Sequence, residues 1–171
     1  TELLTQQLMT ASNLSGMMLN LFLFAFMPAI VEEIYFRGML QKLFYSWSAK
    51  PHLAVWLSAF AFALIHLQPA NFLAIWLMGG LLGYLYHYTG SIYVPMIMHF
   101  ANNAFGVVGT YLYENGHINV DPEMQSNWAL ALVGVVLTFY MLIRLRKKAL
   151  SPLKAVDSAR VSNADVKWVK V

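Results

Sequence analysis

Long apolar runs alternate with short polar stretches along the chain, and this pattern predicts about six hydrophobic helices. Pro28 separates the first two runs, a polar loop at 46–52 follows the second, and the stretches at 68–71 and 89–91 break the next ones. Several runs are shorter than the ~20 residues of a full membrane span, so we expect tilted, paired or partial helices. The predicted segments are 14–30, 32–47, 53–67, 72–88, 93–113 and 128–143.

The composition places these segments in a membrane. Of the 171 residues, 59% are hydrophobic and 11% are charged, whereas soluble domains average about 25% charged residues. We therefore predict an all-α, polytopic membrane helix bundle around a polar intramembrane cavity. Residues 1–150 would form the membrane domain and residues 151–171 a polar, flexible tail. The chain starts at Thr1 without a signal-peptide pattern, which raises the expectation that earlier helices are missing.

The basic residues predict orientation rather than nucleic-acid binding. Although the pI is about 9.2, eight of the eleven Lys and Arg residues lie at or after Arg144. A basic cluster just beyond an apolar helix is typical of a cytoplasmic flank that contacts anionic lipids. We expect a prokaryotic cytoplasmic membrane, a cytoplasmic C-terminal tail and no nucleic-acid partner. The absence of cysteine excludes thiol chemistry and disulfides.

Charged residues inside the apolar region are the first candidates for function. Glu32, Glu33 and Arg37 lie in an otherwise apolar run, and a charge at bilayer depth costs at least ~2.5–3.5 kcal/mol. Glu33 and Arg37 are spaced to pair along one helix face, a structural role. Glu32 points ~100° away from Glu33. It is therefore available for chemistry.

Two further polar patterns have helical spacing: Phe62-x-x-x-His66 and His99-x-x-x-Asn103. A carboxylate, two imidazoles and an amide offer a base, a proton donor and an oxyanion donor, enough to activate water against an amide. Glu32, His66 and His99 could instead hold a divalent metal such as zinc, but no His-Glu-x-x-His pattern supports this.

Some of these residues also have plainer interpretations. A single His66 would more often be a satisfied core histidine, and Phe62 is interpreted as packing. Asn103 is preferred over Asn102 because of its spacing from His99. Glycines near the middle of the fourth segment, and Gly38 in the second, are interpreted as sites of close helix packing.

Together the patterns resemble the CPBP family of CAAX proteases and bacteriocin-processing enzymes, also called Abi. Its marks are Glu-Glu-x-x-x-Arg, Phe-x-x-x-His and His-x-x-x-Asn on successive membrane helices, and all three occur here in that order. The likeness covers roughly residues 28–111. It implies an intramembrane endopeptidase that acts on a membrane-associated protein or peptide, prenylated or bacteriocin-like.

The resemblance also implies roles for individual residues. Glu32 with His66 would activate the water, and His99 with Asn103 would stabilise the oxyanion. Glu33 and Arg37 would brace the first motif. A glutamate mechanism without a cofactor is favoured, and a metal-dependent one stays open.

Two other classes of protein fit the same residues. A non-proteolytic bacteriocin-immunity or membrane scaffold protein would use them as a helix-bracing network. A transporter would use them as an ion or proton site, although no internal repeat supports this.

Overall fold

The computed structural model describes residues 13–119, which contain helices and no strand. This part of the chain confirms the all-α prediction. The six-segment bundle and its polar cavity remain predictions, and the segment 128–143 and the tail 151–171 lie outside the described residues. The four long helices are α1 (Leu14–Ser48), α2 (Pro51–Ile65), α3 (Phe72–Thr89) and α4 (Tyr93–Glu114), with a 3₁₀ turn at Pro69–Asn71.

The described residues form two compact units. Unit 1 contains residues 13–32 and 96–119, and unit 2 contains residues 33–95. Both boundaries fall inside a helix, so α1 and α4 each contribute to both units.

Helix α1 is continuous where the sequence predicted two helices separated near Pro28. Because proline has no N–H, it breaks the α-helical hydrogen-bond pattern. A π-helical segment at Leu21–Phe26 lies just before Pro28, and the Met27 N–H bonds to the Phe22 carbonyl five residues back. Local π geometry is one way in which membrane helices absorb a proline. The predicted break was therefore wrong.

A second π-helical segment, Ile34–Leu40, directly follows the two glutamates. Here the Gln41 N–H bonds to the Phe36 carbonyl, again five residues back. Such segments are rare and occur often at functional sites. This one contains Arg37.

The connections between helices are short. The loop predicted at 46–52 is reduced to Ala49 and Lys50, because Ala49 ends α1 in the left-handed region with a φ of 55° and Pro51 opens α2 at a position that needs no N–H donor. Gly90 ends α3 with a φ of 71°, which confirms the predicted turn.

Glycines allow α2 and α3 of unit 2 to pack closely, as predicted. A Cβ on Gly79 would lie 3.1 Å from the Ala59 Cα, and one on Gly83 would lie 3.0 Å from the Val55 Cγ1. Gly38 differs: among the described residues a Cβ there would lie 3.5 Å from the Ile92 Cδ1 and 3.9 Å from the Glu33 carbonyl oxygen of its own helix, both ordinary contacts. The close backbone approach predicted at Gly38 stays a prediction.

Side chain to backbone hydrogen bonds also connect α1, α2 and α3 within unit 2. The buried Ser58 hydroxyl donates to the Phe36 carbonyl at 2.9 Å, and the buried Gln41 amide donates to the Gly83 carbonyl at 3.2 Å. Polar contacts of this kind hold helices together where apolar burial gives little driving force.

Replacing Gly80 with alanine should lower the free energy of unfolding by about 1–3 kcal/mol, because the added methyl group would overpack the core. The new Cβ would lie 2.7 Å from the Trp56 Cζ3, and that ring is packed against Trp76 at 5.5 Å between centroids. Thermal unfolding in detergent micelles measures the change. Gly106→Ala is the matched control, since a Cβ added there would come within 4 Å of no other part of the chain that the structure describes, its own helix backbone aside. Equal midpoints for both variants would contradict this packing.

Two helices within residues 13–119 are long and apolar enough to cross a membrane: α1, and the stretch Pro69–Thr89 that contains α3. Helix α2 is apolar but shorter, with 15 residues. Their outward surfaces carry many large apolar side chains, such as Leu43 at 61% and Leu73 at 62% exposure. Large apolar side chains exposed in such numbers mark a surface that contacts lipid or another protein segment.

Candidate active site

Unit 1 brings together an acid and an imidazole that are far apart in the sequence. The Oε2 atom of Glu32, on α1, lies 3.8 Å from the Nε2 atom of His99, on α4. The His99 side chain is 5% exposed and the Glu32 side chain 26% exposed, although Oε2, the Glu32 oxygen nearest His99, is itself buried. The separation is longer than a direct hydrogen bond of about 2.6–3.2 Å but short enough for one water molecule to bridge.

Asn103 lies one turn after His99 on α4 and is half-buried, whereas Asn102 is exposed. The Asn102 side chain donates to the Asn103 Oδ1 at 3.4 Å. Because Asn103 accepts this bond through its oxygen, its Nδ2 hydrogens are the donors that it can offer to a substrate.

Unit 2 contains a buried ion pair. The Arg37 Nη1 donates to the Glu33 Oε1 at 2.6 Å, and the two side chains are 1% and 0% exposed. The Arg37 Nη2 donates to the Gly79 carbonyl at 2.9 Å. The pair that the i,i+4 spacing predicted is thus formed, and it also attaches α1 to α3.

His66 ends α2 in unit 2, and its ring is oriented by a nearby carbonyl. The His66 Nδ1 lies 2.8 Å from the Phe62 carbonyl oxygen, which can only accept, so Nδ1 carries the hydrogen. In the neutral ring, Nε2 then holds the lone pair and is the basic nitrogen. The next residue, Leu67, adopts a left-handed conformation with a φ of 51°.

The predicted site residues are divided between the units: Glu32, His99 and Asn103 in unit 1, and Glu33, Arg37 and His66 in unit 2. Their catalytic or bracing roles stay predictions.

Sequence reasoning interpreted Phe62 only as packing. It also did not select three polar residues that prove to be buried. The signal for these three was a polar side chain within an apolar helix: Asn20, Gln41 and Ser58.

The alternative of a metal site also stays a prediction. Within residues 13–119, no group of three or more His, Cys, Asp or Glu side chains is arranged to hold a metal ion. Within unit 1, Glu32 and His99 offer an oxygen and a nitrogen, both normal zinc ligands, whereas a catalytic zinc site usually has three protein ligands.

Comparison with known families places this chain. Residues 14–105 match the family described as type II CAAX prenyl endopeptidase Rce1-like, which is more than half of the 171-residue chain. The chain therefore belongs to the Rce1-like family, and all three polar motifs lie within the matched range. This confirms the resemblance to CAAX proteases. Together with the two apolar helices, it identifies an integral membrane protein.

One curated relative is the uncharacterized protein YpbD of Bacillus subtilis (strain 168). It is 32% identical over 80 residues, which are 44% of this chain and 38% of YpbD. The aligned part thus spans well under half of that protein. No solved structure matches the chain significantly.

Proposed function

We propose that this chain is an intramembrane endopeptidase that hydrolyses a peptide bond of a membrane-associated protein or peptide. The observation that carries the proposal is the partly exposed side chain of Glu32 beside the buried imidazole of His99, with Oε2 and Nε2 3.8 Å apart, in a member of the Rce1-like family. A carboxylate that can accept a proton from water, beside an imidazole that can donate a hydrogen bond to an oxyanion, is what a hydrolytic site needs.

The first step assigned to this site is attack by water. Glu32 accepts a proton from the water while the water oxygen forms a bond to the substrate carbonyl carbon. The carbonyl oxygen becomes an oxyanion. His99, through Nε2–H, and Asn103, through its Nδ2 hydrogens, would donate hydrogen bonds to that oxyanion. Their one-turn spacing on α4 supports a shared target.

The second step is collapse of the tetrahedral intermediate. The carbon–nitrogen bond breaks as the proton that Glu32 took from the water is delivered to the leaving amine, so the products are a new carboxylate and a new amine, and Glu32 is a carboxylate again. His66 is proposed to assist the proton transfers through Nε2, the nitrogen that does not bind the Phe62 carbonyl. Its assignment to this reaction rests on the family motif.

Asn103, one of the two proposed oxyanion donors, gives the sharpest test of this function. Asn103→Ala should lower kcat for peptide cleavage about 10²-fold, the usual cost of losing one oxyanion donor. Asn102→Ala is the comparison variant: it removes only the exposed amide that donates to the Asn103 Oδ1, so it should lower kcat less than Asn103→Ala does, because the oxyanion donor itself is kept.

The assay uses the chain reconstituted in lipid vesicles with fluorogenic peptides in three forms: prenylated on cysteine, unprenylated, and shaped as a bacteriocin-like precursor. The preferred form then reports the substrate class. Absence of cleavage of every form, with the variants losing stability and partner binding together, would favour the immunity or scaffold alternative and overturn the proposal.

A further inference from the structure

The aromatic ring of Phe62 connects the buried ion pair of unit 2 to His66. Phe62 is 2% exposed. Its ring centroid lies 4.8 Å from the Arg37 Cζ, which sits over the ring, and 4.5 Å from the His66 ring centroid. The Phe36 ring meets it edge-on at 5.1 Å. One side chain thus contacts both a residue of the first motif and the histidine of the second.

The backbone of Phe62 contacts His66 as well. The last carbonyls of a helix have no intrahelical partner, and the His66 N–H bonds to the Leu64 carbonyl rather than to that of Phe62. The Phe62 carbonyl accepts from the His66 side chain, at 2.8 Å. Phe62 holds the imidazole at two points, the ring and the carbonyl.

The ring of Phe62 is itself fixed. Arg37 lies over it with a guanidinium that is anchored by the Glu33 carboxylate and the Gly79 carbonyl. A cation over an aromatic face is attracted by the ring quadrupole, more strongly when desolvated. A Cβ on Gly79 would lie only 3.2 Å from the Phe62 Cδ1, so the absence of a side chain at Gly79 leaves space for the ring.

From these contacts we infer that Phe62 is a positioning residue, which transmits the rigidity of the Glu33–Arg37 pair to the His66 imidazole and keeps Nε2 as its basic nitrogen. The inference rests on the proposed function for its catalytic consequence. Its structural part, the fixed tautomer, can be tested without any protease assay.

The kinetic test changes the ring and keeps the carbonyl. Phe62→Leu should lower kcat about 10²-fold, since small misplacements of catalytic groups have effects of this size, and should leave KM within about 2-fold. Phe62→pentafluorophenylalanine keeps the ring shape but removes its attraction for a cation, and it should lower kcat about 10-fold. Loss of folded protein at unchanged kcat of the folded fraction would overturn the inference.

Phe60 supplies the matched control on the same helix. Its ring contacts Phe72 and Trp76, with centroids 5.6 and 6.0 Å away, and it is 42% exposed. Phe60→Leu and the same fluorinated residue at position 60 should leave kcat within about 2-fold, because a partly exposed ring away from Arg37 and His66 holds neither in place. An equal loss of kcat at both positions would contradict a specific role for Phe62.

The second test reads the tautomer of His66 directly by ¹⁵N NMR of the reconstituted, histidine-labelled chain. At a pH where the ring is neutral, the wild type should show hydrogen on Nδ1 and a non-protonated Nε2. Phe62→pentafluorophenylalanine keeps the carbonyl but no longer holds the His66 ring in one position against it, so it should show a mixture of the two tautomers. Hydrogen on Nε2 in the wild type, or an unchanged spectrum in the variant, would overturn the inference. Absence of cleavage in the wild type would instead count against the proposed function alone.

Discussion

Glu32→Gln should reduce peptide-bond cleavage by about 10²–10⁴-fold, the contribution of a general base, while the chain stays folded. Glutamine matches glutamate in size and can still form hydrogen bonds, but it cannot accept a proton from water at neutral pH. Because the Glu32 side chain is 26% exposed, exchanging its charge for an amide should disturb packing little. Cleavage rates in lipid vesicles and thermal unfolding of the same preparation give the two measurements.

Glu114→Gln is the matched control for Glu32→Gln. Glu114 is an exposed carboxylate at the end of α4, so its exchange should leave both cleavage and stability unchanged. Full activity of Glu32→Gln would remove Glu32 from the mechanism. A loss of folding rather than of activity would indicate that Glu32 belongs to a bracing network, as in the non-proteolytic alternative.

Arg37→Met should lower the free energy of unfolding by about 3–5 kcal/mol, the cost of removing one partner of a buried ion pair. The reason is electrostatic. The Glu33 carboxylate is 0% exposed and would lose the guanidinium that donates to it at 2.6 Å. The Gly79 carbonyl would lose its donor as well. Denaturant unfolding in mixed micelles measures the change.

Two controls make the Arg37 prediction specific. The double variant Glu33→Gln with Arg37→Met leaves no charge at these two buried positions, so it should be more stable than Arg37→Met alone. Lys42→Met removes a half-buried cation from the same helix and should change stability by less than about 1 kcal/mol. Equal destabilisation by the single and double variants would show that packing, and not charge, accounts for the loss.

Local rules predicted much of the fold within the described residues. The turn at Gly90, the packing of the α3 glycines and the Glu33–Arg37 pair all depend on spacing of four residues or fewer, or on the small size of one residue. The helix break at Pro28 could not be predicted correctly in this way. Whether a proline ends a helix or is absorbed by π geometry depends on the contacts around it.

The candidate site shows the same division between local and tertiary information. The motifs identified the residue types, and the comparison confirms the family. The distance between Glu32 and His99 depends on how α1 meets α4, and the contacts of Phe62 depend on how Arg37 approaches α2. The residue spacing within one helix predicts neither the distance nor these contacts. Phe62 was therefore interpreted as packing, although it contacts Arg37 of the first motif and His66 of the second.

The π-helical segments of α1 bear on how other sequences should be aligned with this one. A π turn accommodates about one more residue than an α turn over the same length, and α1 has two such segments, Leu21–Phe26 and Ile34–Leu40. A homologue shorter by one residue in either segment can restore a regular α-helix and still present the same faces before and after it. Single-residue gaps at these two places are thus compatible with an unchanged architecture, whereas gaps elsewhere in α1 would rotate one half of the helix against the other.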